Sequence, residues 1–303
     1  MINSPKYLVV IAGPTAVGKT DVAIQLAKVW NSEIISADSR QFYSEMQIGT
    51  AKPDTQQLRE IKHHFVGQLS VHDYFNVSMF ENAALKTIRS LFQIHDLVFC
   101  VGGSGLYIDA VCQGIDDFPD PDPKLRSFLK SIYLDEGISK LQQMLSERDP
   151  EYYAIADINN PNRLLRALEV CFTTGKKFSE QRLNNIKPRD FKIIKIGLNL
   201  PRPELFGRIE KRVDQMMEKG LLDEVKSLLP FRNLNALNTV GYKEIFEFLD
   251  SKITLEQAVV NIKTNTRRYA KRQLTWFNRT KEYTWFEPAQ INEITNYLTL
   301  KCK

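Results

Sequence analysis

The sequence lacks the signatures of several large protein classes. It has four cysteines in 303 residues, too widely spaced for a Cys-x-x-Cys pair: Cys100, Cys112, Cys171 and Cys302. A disulfide framework or a zinc ribbon is therefore not expected. The first apolar run, Tyr7–Ala12, is too short for a membrane span or a signal peptide. The cysteine usage and the lack of a targeting segment lead us to expect a cytoplasmic protein with no membrane partner. The chain also has no internal repeat and no low-complexity segment, so a globular fold is expected.

Basic residues are scarce in the first part of the chain and abundant in the last. Residues 1–120 hold 9 basic and 13 acidic residues, whereas residues 191–303 hold 20 basic and 13 acidic ones, a net charge of +7. The basic excess is sharpest in Lys263–Lys281, which has seven Lys and Arg and no acid. This run fits two interpretations, a surface that binds a polyanion or the solvated face of a basic helix.

Apolar β-branched runs alternate with helical patterns, which predicts a parallel sheet with crossover helices. The length predicts two domains, or one large core with an insertion. Strands are predicted at five places: Lys6–Ile11, Glu33–Ala37, Leu97–Val101, Ile193–Leu198 and Tyr283–Phe286.

A stretch between the third and fourth strands has only helical patterns. It opens with the turn-rich residues 116–123 and continues through Leu125–Leu134, Ile138–Leu145 and Arg163–Phe172. We therefore predict an α/β fold with a P-loop NTPase-like parallel sheet core and a small all-helical insertion. The core domain comprises residues 1–115 and 190–303, and the insertion comprises residues 116–189.

The first strand leads into a phosphate loop of the pattern G-x-x-x-x-G-K-[ST]. It consists of eight consecutive residues: Gly13, Pro14, Thr15, Ala16, Val17, Gly18, Lys19 and Thr20. In such loops the backbone N–H groups cradle phosphate oxygens, the lysine neutralises a terminal phosphate and the final hydroxyl ligates Mg²⁺. The pattern does not distinguish a diphosphate ligand from a triphosphate.

One part of an ordinary P-loop ATPase is absent. The strand Leu97–Val101 ends in Gly-Gly-Ser instead of the acidic residue that helps to hold Mg²⁺. The acid at the tip of an early strand is Asp38. From the residues alone, Asp38 fits a metal ligand, a general base or a loop carboxylate.

Two pairs of arginines have helical spacing. Arg208 and Arg212 are four residues apart, and one of them fits a clamp on a leaving diphosphate or an ion pair on an exposed helix. Arg163 and Arg166 are three residues apart and fit either a contact with RNA phosphates or a solvated face.

Eight segments taken together resemble one family. In order they are GPTAVGKT, ISADSRQFY, MQIGTAKP, the pair His63-His64, VGGSGLY, NRLLRALEV followed by TGKKFS, RIEKRVDQMMEKGLLDEV, and VGYKE. Their order and intervals resemble the bacterial tRNA dimethylallyltransferases, also called tRNA isopentenyltransferases, from about Leu8 to about Phe286. A structural role is predicted for the two histidines.

The resemblance implies transfer of a dimethylallyl group from dimethylallyl diphosphate to tRNA. The acceptor would be the exocyclic amine of the adenosine immediately 3′ of the anticodon, in tRNAs that read codons beginning with U. The phosphate loop would then hold a diphosphate leaving group, which explains why the strand-end acid is missing. The family resemblance also implies Mg²⁺ as the only metal and a monomer.

The resemblance also assigns residue roles. Asp38 would accept the proton of the amine, Ser104 would orient the substrates, and Lys19 and Arg208 would stabilise the diphosphate, with Thr20 on Mg²⁺. Most relatives carry Thr where this chain has Ser104. The tRNA anticodon stem-loop would be bound by residues of the core and the insertion: Asp38, Ser39, Arg40, Gln41, Ser104, Arg126, Asn162, Arg163, Leu164, Leu165, Arg166, Gly241, Tyr242 and Lys243.

Three other functions are weighed against this one. An adenylate isopentenyltransferase or a small-molecule P-loop kinase would share the loop and Asp38 but would need no grip on RNA. An RNA-binding protein without catalysis would be expected to lack Lys19 or Asp38, and this chain has both.

Overall fold

The computed structural model describes residues 4–120, 122–183 and 185–302. The chain divides into two compact units. The first comprises Met1–Cys112 and Pro188–Lys303, and the second comprises Gln113–Lys187.

Six parallel strands form the sheet of the first unit. They are β1 (Tyr7–Ala12), β2 (Ile34–Ser36), β3 (His63–His64), β4 (Leu97–Gly102), β5 (Lys192–Leu198) and β6 (Thr284–Phe286). Their order across the sheet is β3-β2-β4-β1-β5-β6. β1 is central, and its first residue, Tyr7, pairs with Leu97 on one side and Lys192 on the other. Because every pairing is parallel, the strands end at the same edge of the sheet.

Helices connect the strands and form the second unit. In chain order they are α1 (Lys19–Val29), α2 (Thr55–Glu60), α3 (Val77–Leu91), α4 (Gly105–Gln113), α5 (Pro123–Glu136), α6 (Ile138–Arg148), α7 (Pro150–Ile155), α8 (Pro161–Thr174), α9 (Phe178–Gln181), α10 (Arg202–Glu218), α11 (Leu221–Ser227), α12 (Tyr242–Leu249), α13 (Leu255–Phe277) and α14 (Ile291–Lys301). None of the helices in the described part of the chain is both long and apolar enough to span a membrane.

The side chains of β1 alternate between two apolar layers, one on each face of the sheet. Leu8 and Val10 pack in the layer that includes α3 and α12. Val9 and Ile11 pack in the layer that includes α1, α10 and α14. A strand that is covered on both faces needs apolar residues at every position, which explains the continuous apolar run of β1.

The second unit has an apolar core of its own, which includes Leu129, Leu141, Leu145, Leu164 and Leu168. Three of its helices, α5, α7 and α8, begin in the same way, with an Asp or Asn cap followed by proline. The cap accepts a backbone N–H of the first turn, and the fixed φ of proline suits the first helical position.

The two ends of the second unit lie side by side. The backbone N–H of Lys187 donates a hydrogen bond of 2.7 Å to the carbonyl of Gln113. The ammonium of Lys187 also pairs with Asp117 at 3.0 Å. The unit therefore begins and ends at one place.

Candidate active site

The phosphate loop lies between the end of β1 and the start of α1 and has glycines where its backbone requires them. Gly18 has a φ of 104°, and a Cβ atom on Gly13 would collide with the carbonyl of Leu198. The side chain of Lys19 folds back over the loop, where Nζ donates to the carbonyls of Gly13 at 3.0 Å and Pro14 at 2.8 Å. The loop therefore offers a cation and a helix N-terminus to one anion.

Three charged side chains interact beside the loop: Lys19, Asp38 and Arg212. Burial lowers the pKa of Lys19 to about 8, against the effect of Asp38, and Arg212 lowers it further. Burial also lowers the pKa of Arg212, and Asp38 opposes this. Within the described residues, Arg212 has no hydrogen-bond or ion-pair partner. Two cations thus face one carboxylate, and an anionic ligand would complete the charge balance.

Arg208 lies one helical turn before Arg212 and contacts the loop directly. Its Nη1 atom donates to the carbonyl of Val17 at 3.3 Å, while Nη2 pairs with Glu204 at 2.9 Å. The two interpretations of this arginine are thus compatible, because it is both an ion-paired helix residue and a neighbour of the phosphate loop.

The carboxyl ends of β2 and β4 bring Asp38 and Ser104 together. An oxygen of Asp38 accepts the backbone N–H of Arg40 at 3.0 Å. The Ser104 hydroxyl accepts the N–H of Ser39 at 3.0 Å, and the N–H of Ser104 donates to the carbonyl of Ala37 at 3.3 Å. The two loops are therefore joined by hydrogen bonds at the side of the phosphate loop.

Two residues of α13 complete this region, and the sequence did not point to them. Gln273 accepts the N–H of Thr15 at 2.8 Å and donates to the carbonyl of Gly103 at 2.9 Å, so one buried amide bridges the phosphate loop and the loop after β4. Burial, with the negative charge of Asp38, raises the pKa of Tyr269 to about 12. The phenol of Tyr269 is therefore protonated near neutral pH.

One cleft with a volume of about 840 Å³ is lined by Lys19, Asp38, Arg208, Arg212, Tyr269 and Gln273. Its walls include the phosphate loop, Asp38, Gln41, the segment of residues 47–54, and one face each of α10 and α13. Thr20 also lines it. The described residues contain no cluster of three or more His, Cys, Asp or Glu side chains that would hold a metal ion alone. Mg²⁺ commonly binds only one or two protein oxygens together with the phosphates of a substrate, and the single hydroxyl of Thr20 suits that mode of binding.

A comparison with known families identifies the chain. The sequence model of the IPP transferase family matches residues 41–280. The chain belongs to the IPP transferase family.

Other members of the family are similar over nearly the whole chain. Identity is 51% over 288 residues with tRNA dimethylallyltransferase 2 of Azobacteroides pseudotrichonymphae, covering 95% of this chain and 94% of that protein. The full-length tRNA isopentenylpyrophosphate transferase of Bacillus halodurans superposes with a TM-score of 0.72 at 38% identity, covering 98% and 97% of the two chains. A eukaryotic dimethylallyltransferase acting on tRNA gives a TM-score of 0.78 at 27% identity, covering 98% of this chain and 77% of that one. The predicted fold class and family resemblance are confirmed.

In this member of the IPP transferase family, the predicted tRNA contacts of the first unit differ in exposure. Arg40 donates to the carbonyl of Asn235 at 2.9 Å, Gly241 lines the cleft, and Lys243 is exposed. Tyr242 requires a correction. Its side chain is 0% exposed and packs in the apolar core, so it does not present a surface to RNA.

The predicted tRNA contacts of the second unit also divide into two groups. Asn162 and Arg163 are exposed. Leu164 and Leu165 require a correction, because both side chains are buried in the core of that unit and are not available to RNA. The two leucines lie on the buried face of α8, whereas Asn162 and Arg163 lie on its exposed face.

Arg126 and Arg166 share one buried partner. Arg126 makes a two-pronged ion pair with Glu169, with N–O distances of 2.5 Å and 2.9 Å, and Arg166 approaches the same carboxylate at 3.5 Å. The side chain of Glu169 is only 1% exposed. Both arginines therefore neutralise a buried charge, in addition to any contact with RNA.

We expect Arg126→Met to destabilise the second unit, because the Glu169 carboxylate would lose its two shortest hydrogen bonds while remaining buried. The expected loss in unfolding free energy is about 1–3 kcal/mol. Urea denaturation of the full chain measures it, with Arg163→Met as the matched control on the exposed face of α8. An equal stability of the two variants would contradict this role of Arg126.

Ion pairs divide the basic run Lys263–Lys281. Three of its seven cations pair with acids elsewhere in the chain: Lys263 with Asp214, Arg267 with Glu210 and Arg279 with Asp109. The other four form no ion pair with any described residue: Arg268, Lys271, Arg272 and Lys281. The positive charges of these four residues are therefore not neutralised by an acid of the described chain, and they remain the candidates for binding a polyanion.

The paired histidines form the edge strand β3. His64 contacts Glu33 at 2.6 Å, which agrees with the predicted structural role. His63 Nδ1 lies 2.8 Å from the carbonyl of Ile61, and the residue also lines the cleft. Burial lowers the pKa of His63, so its imidazole is neutral near pH 7.

Proposed function

We propose that this chain transfers a dimethylallyl group from dimethylallyl diphosphate to the exocyclic amine of the adenosine next to the anticodon on its 3′ side. The substrates are tRNAs that read codons beginning with U, and the products are isopentenyladenosine and diphosphate. One observation carries the proposal: a phosphate loop with Lys19 and a carboxylate, Asp38, share a cleft whose β4 wall has no acid at its end. That arrangement suits release of a diphosphate without hydrolysis of a nucleotide.

The phosphate side of the cleft binds the donor. Backbone N–H groups of the loop, with Lys19, Arg208 and Arg212, face the diphosphate and stabilise the charge that develops as the carbon–oxygen bond breaks. The hydroxyl of Thr20 would hold Mg²⁺, which supplies further neutralisation of the diphosphate when bound. The structure fits this distribution, because Arg212 has no other partner among the described residues.

The opposite side of the cleft receives the adenine. The amine nitrogen forms the new bond to the first carbon of the dimethylallyl group, and Asp38 accepts the proton that the nitrogen loses. Ser104, joined to the Asp38 loop through Ser39, orients the base. An adenosine in a stacked anticodon loop must leave the stack to enter such a cleft, so groups that read its Watson–Crick edge are required.

The second unit is proposed to grip the anticodon stem-loop. Its candidates are the exposed Asn162 and Arg163 of α8. Arg166 of the same helix and Arg126 of α5 are further candidates, and both contact Glu169 of α8. The net charge of +7 on residues 191–303 supports a polyanionic partner for the first unit as well.

The decisive assay offers labelled dimethylallyl diphosphate and Mg²⁺ to undermodified tRNA in one tube and to AMP in another. Label at the adenosine beside the anticodon, and none in AMP, is the expected result. Label in AMP would identify an adenylate isopentenyltransferase instead. Label in neither tube, with ATP consumed when it is supplied in a third, would identify a kinase and contradict the proposal.

Arg163→Ala should weaken tRNA binding and reduce its salt dependence, because one phosphate contact is lost. The slope of log K against log salt concentration should fall by about 1. Filter binding of tRNA from 50 to 200 mM salt measures the slope, and the affinity for diphosphate serves as the internal control. An unchanged slope would show that Arg163 does not contact a phosphate.

A further inference from the structure

A carboxylate outside the phosphate-binding groups accepts four hydrogen bonds. Glu224, on α11, accepts three consecutive backbone N–H groups, those of Gln47 at 2.9 Å, Ile48 at 2.6 Å and Gly49 at 2.9 Å. Its fourth donor is the hydroxyl of Tyr242, at 2.7 Å. Hydrogen bonds to an ionised carboxylate are among the stronger ones in proteins. We call this group the Glu224 clamp.

The clamp holds a loop against a rigid surface. The ring of Tyr242 is buried, and a Cβ atom on Gly49 would lie only 2.5 Å from that ring, so the loop can approach it only with glycine at this position. Burial and the negative charge of Glu224 raise the pKa of Tyr242 far above its ordinary value. Its hydroxyl therefore stays protonated and donates to the carboxylate.

The clamped loop forms one wall of the cleft. Residues 47–52 all line it, on the same cleft as Lys19 and Asp38. The side-chain amide of Gln41 donates to the carbonyls of Thr50 and Ala51, each at 3.2 Å. Gln41 itself closes the turn that begins at Asp38, through its N–H to the Asp38 carbonyl at 3.2 Å. The position of this loop thus determines where Gln41 can lie.

We propose that Glu224 is a positioning residue for the acceptor. It fixes the 47–52 loop, and through Thr50 and Ala51 it fixes Gln41, on the side of the cleft where the adenine binds. The assignment of that side rests on the proposed function. Glu224 does not touch the phosphate loop, so its effect is confined to the tRNA substrate.

Glu224→Gln tests the clamp, because an amide has one acceptor oxygen and presents donors at its other end. At least one backbone N–H of the loop would then face another donor. We expect kcat/KM for an undermodified tRNA to fall about 10²-fold, as for a small misplacement of a reacting group. The Kd for inorganic diphosphate should equal that of the wild type. A purely stabilising residue would not separate the two substrates in this way.

A second variant and a matched control accompany the test. Tyr242→Phe removes one of the four donors, and its kcat/KM for tRNA should fall about tenfold. This variant also carries the test if Glu224→Gln does not fold. Glu282→Gln removes a carboxylate that pairs with Lys195 at 2.7 Å away from the cleft, and it should behave as the wild type.

Hydrogen exchange reports the clamp independently of activity. The amides of residues 47–49 should exchange faster in Glu224→Gln and at the wild-type rate in Glu282→Gln. Wild-type kcat/KM for tRNA in Glu224→Gln, or an equal weakening of diphosphate binding, would overturn the proposal. If the wild-type enzyme labels no tRNA, the proposed function is overturned instead. If the amides of residues 47–49 exchange at the wild-type rate in Glu224→Gln, the clamp alone is overturned.

Discussion

Replacing Asp38 by Asn should reduce the turnover of dimethylallyl transfer by about 10²–10⁴-fold, the usual contribution of a general base. Asn keeps the size and the oxygen that accepts the N–H of Arg40 at 3.0 Å, but it cannot take the proton of the adenine amine. The affinity for tRNA should therefore change little. Single-turnover rates with saturating donor, together with tRNA binding, separate the two effects.

The control for this substitution lies at the opposite end of the strands, where β4 begins. Asp96 immediately precedes β4 and pairs with Lys6 at 2.7 Å. Asp96→Asn should therefore transfer the group at the wild-type rate. Because the negative charge of Asp38 raises the pKa of Lys19, its removal lowers that pKa further, and the two proteins should be compared over a pH range that extends below 7, where protonation of Lys19 is favoured. Wild-type turnover in Asp38→Asn would exclude this residue as the base.

Much of this arrangement follows from local sequence patterns. Five runs predict β1, β2, β4, β5 and β6, and the sequence places Asp38 at the tip of an early strand. Parallel pairing of β2, β4 and β1 then brings Asp38 and Ser104 to the side of the sheet where the phosphate loop lies. The strand β3 is not predicted, because His63-His64 lies in no apolar run and only its backbone pairing with β2 makes it a strand. No local pattern marks two residues as an edge strand.

Other parts of the site depend on contacts between distant segments. Gln273 accepts a hydrogen bond from the N–H of Thr15, which is more than 250 residues away in the sequence. A glutamine within a basic amphipathic helix gives no local indication that it will contact a phosphate loop. Leu164 and Leu165 were assigned to tRNA because the family motif was transferred as a block. The apolar spacing of α8, with Leu168 one turn further along, instead indicates a buried face.

Lys19→Ala should lower kcat/KM for the donor by about 10²–10³-fold, the effect of removing one preorganised group that stabilises a leaving charge. The pH dependence gives a second signature. The pKa of Lys19 is lowered to about 8, so the side chain is a cation below that pH and becomes neutral above it. In the wild type, kcat/KM for the donor should therefore decline as the pH rises through about 8.

Lys19→Arg separates charge from shape. A guanidinium remains protonated throughout this range, so the decline near pH 8 should disappear even if the maximum rate is lower. Lys28, which lies in the last turn of the same helix and pairs with Glu60 at 2.8 Å, supplies the control, Lys28→Ala. A decline near pH 8 that persists in Lys19→Arg would assign that titration to another group.

The meeting of Gln113 and Lys187 bears on how this chain can diverge. The two ends of the second unit are hydrogen-bonded to each other. To the rest of the polypeptide the unit is therefore equivalent to a short closed loop, whatever the number of residues between its ends. Insertions and deletions between those ends therefore leave the pairing of β4, β1 and β5 unaltered. About a quarter of the chain can thus change in length and sequence while the pairing of these strands stays unchanged.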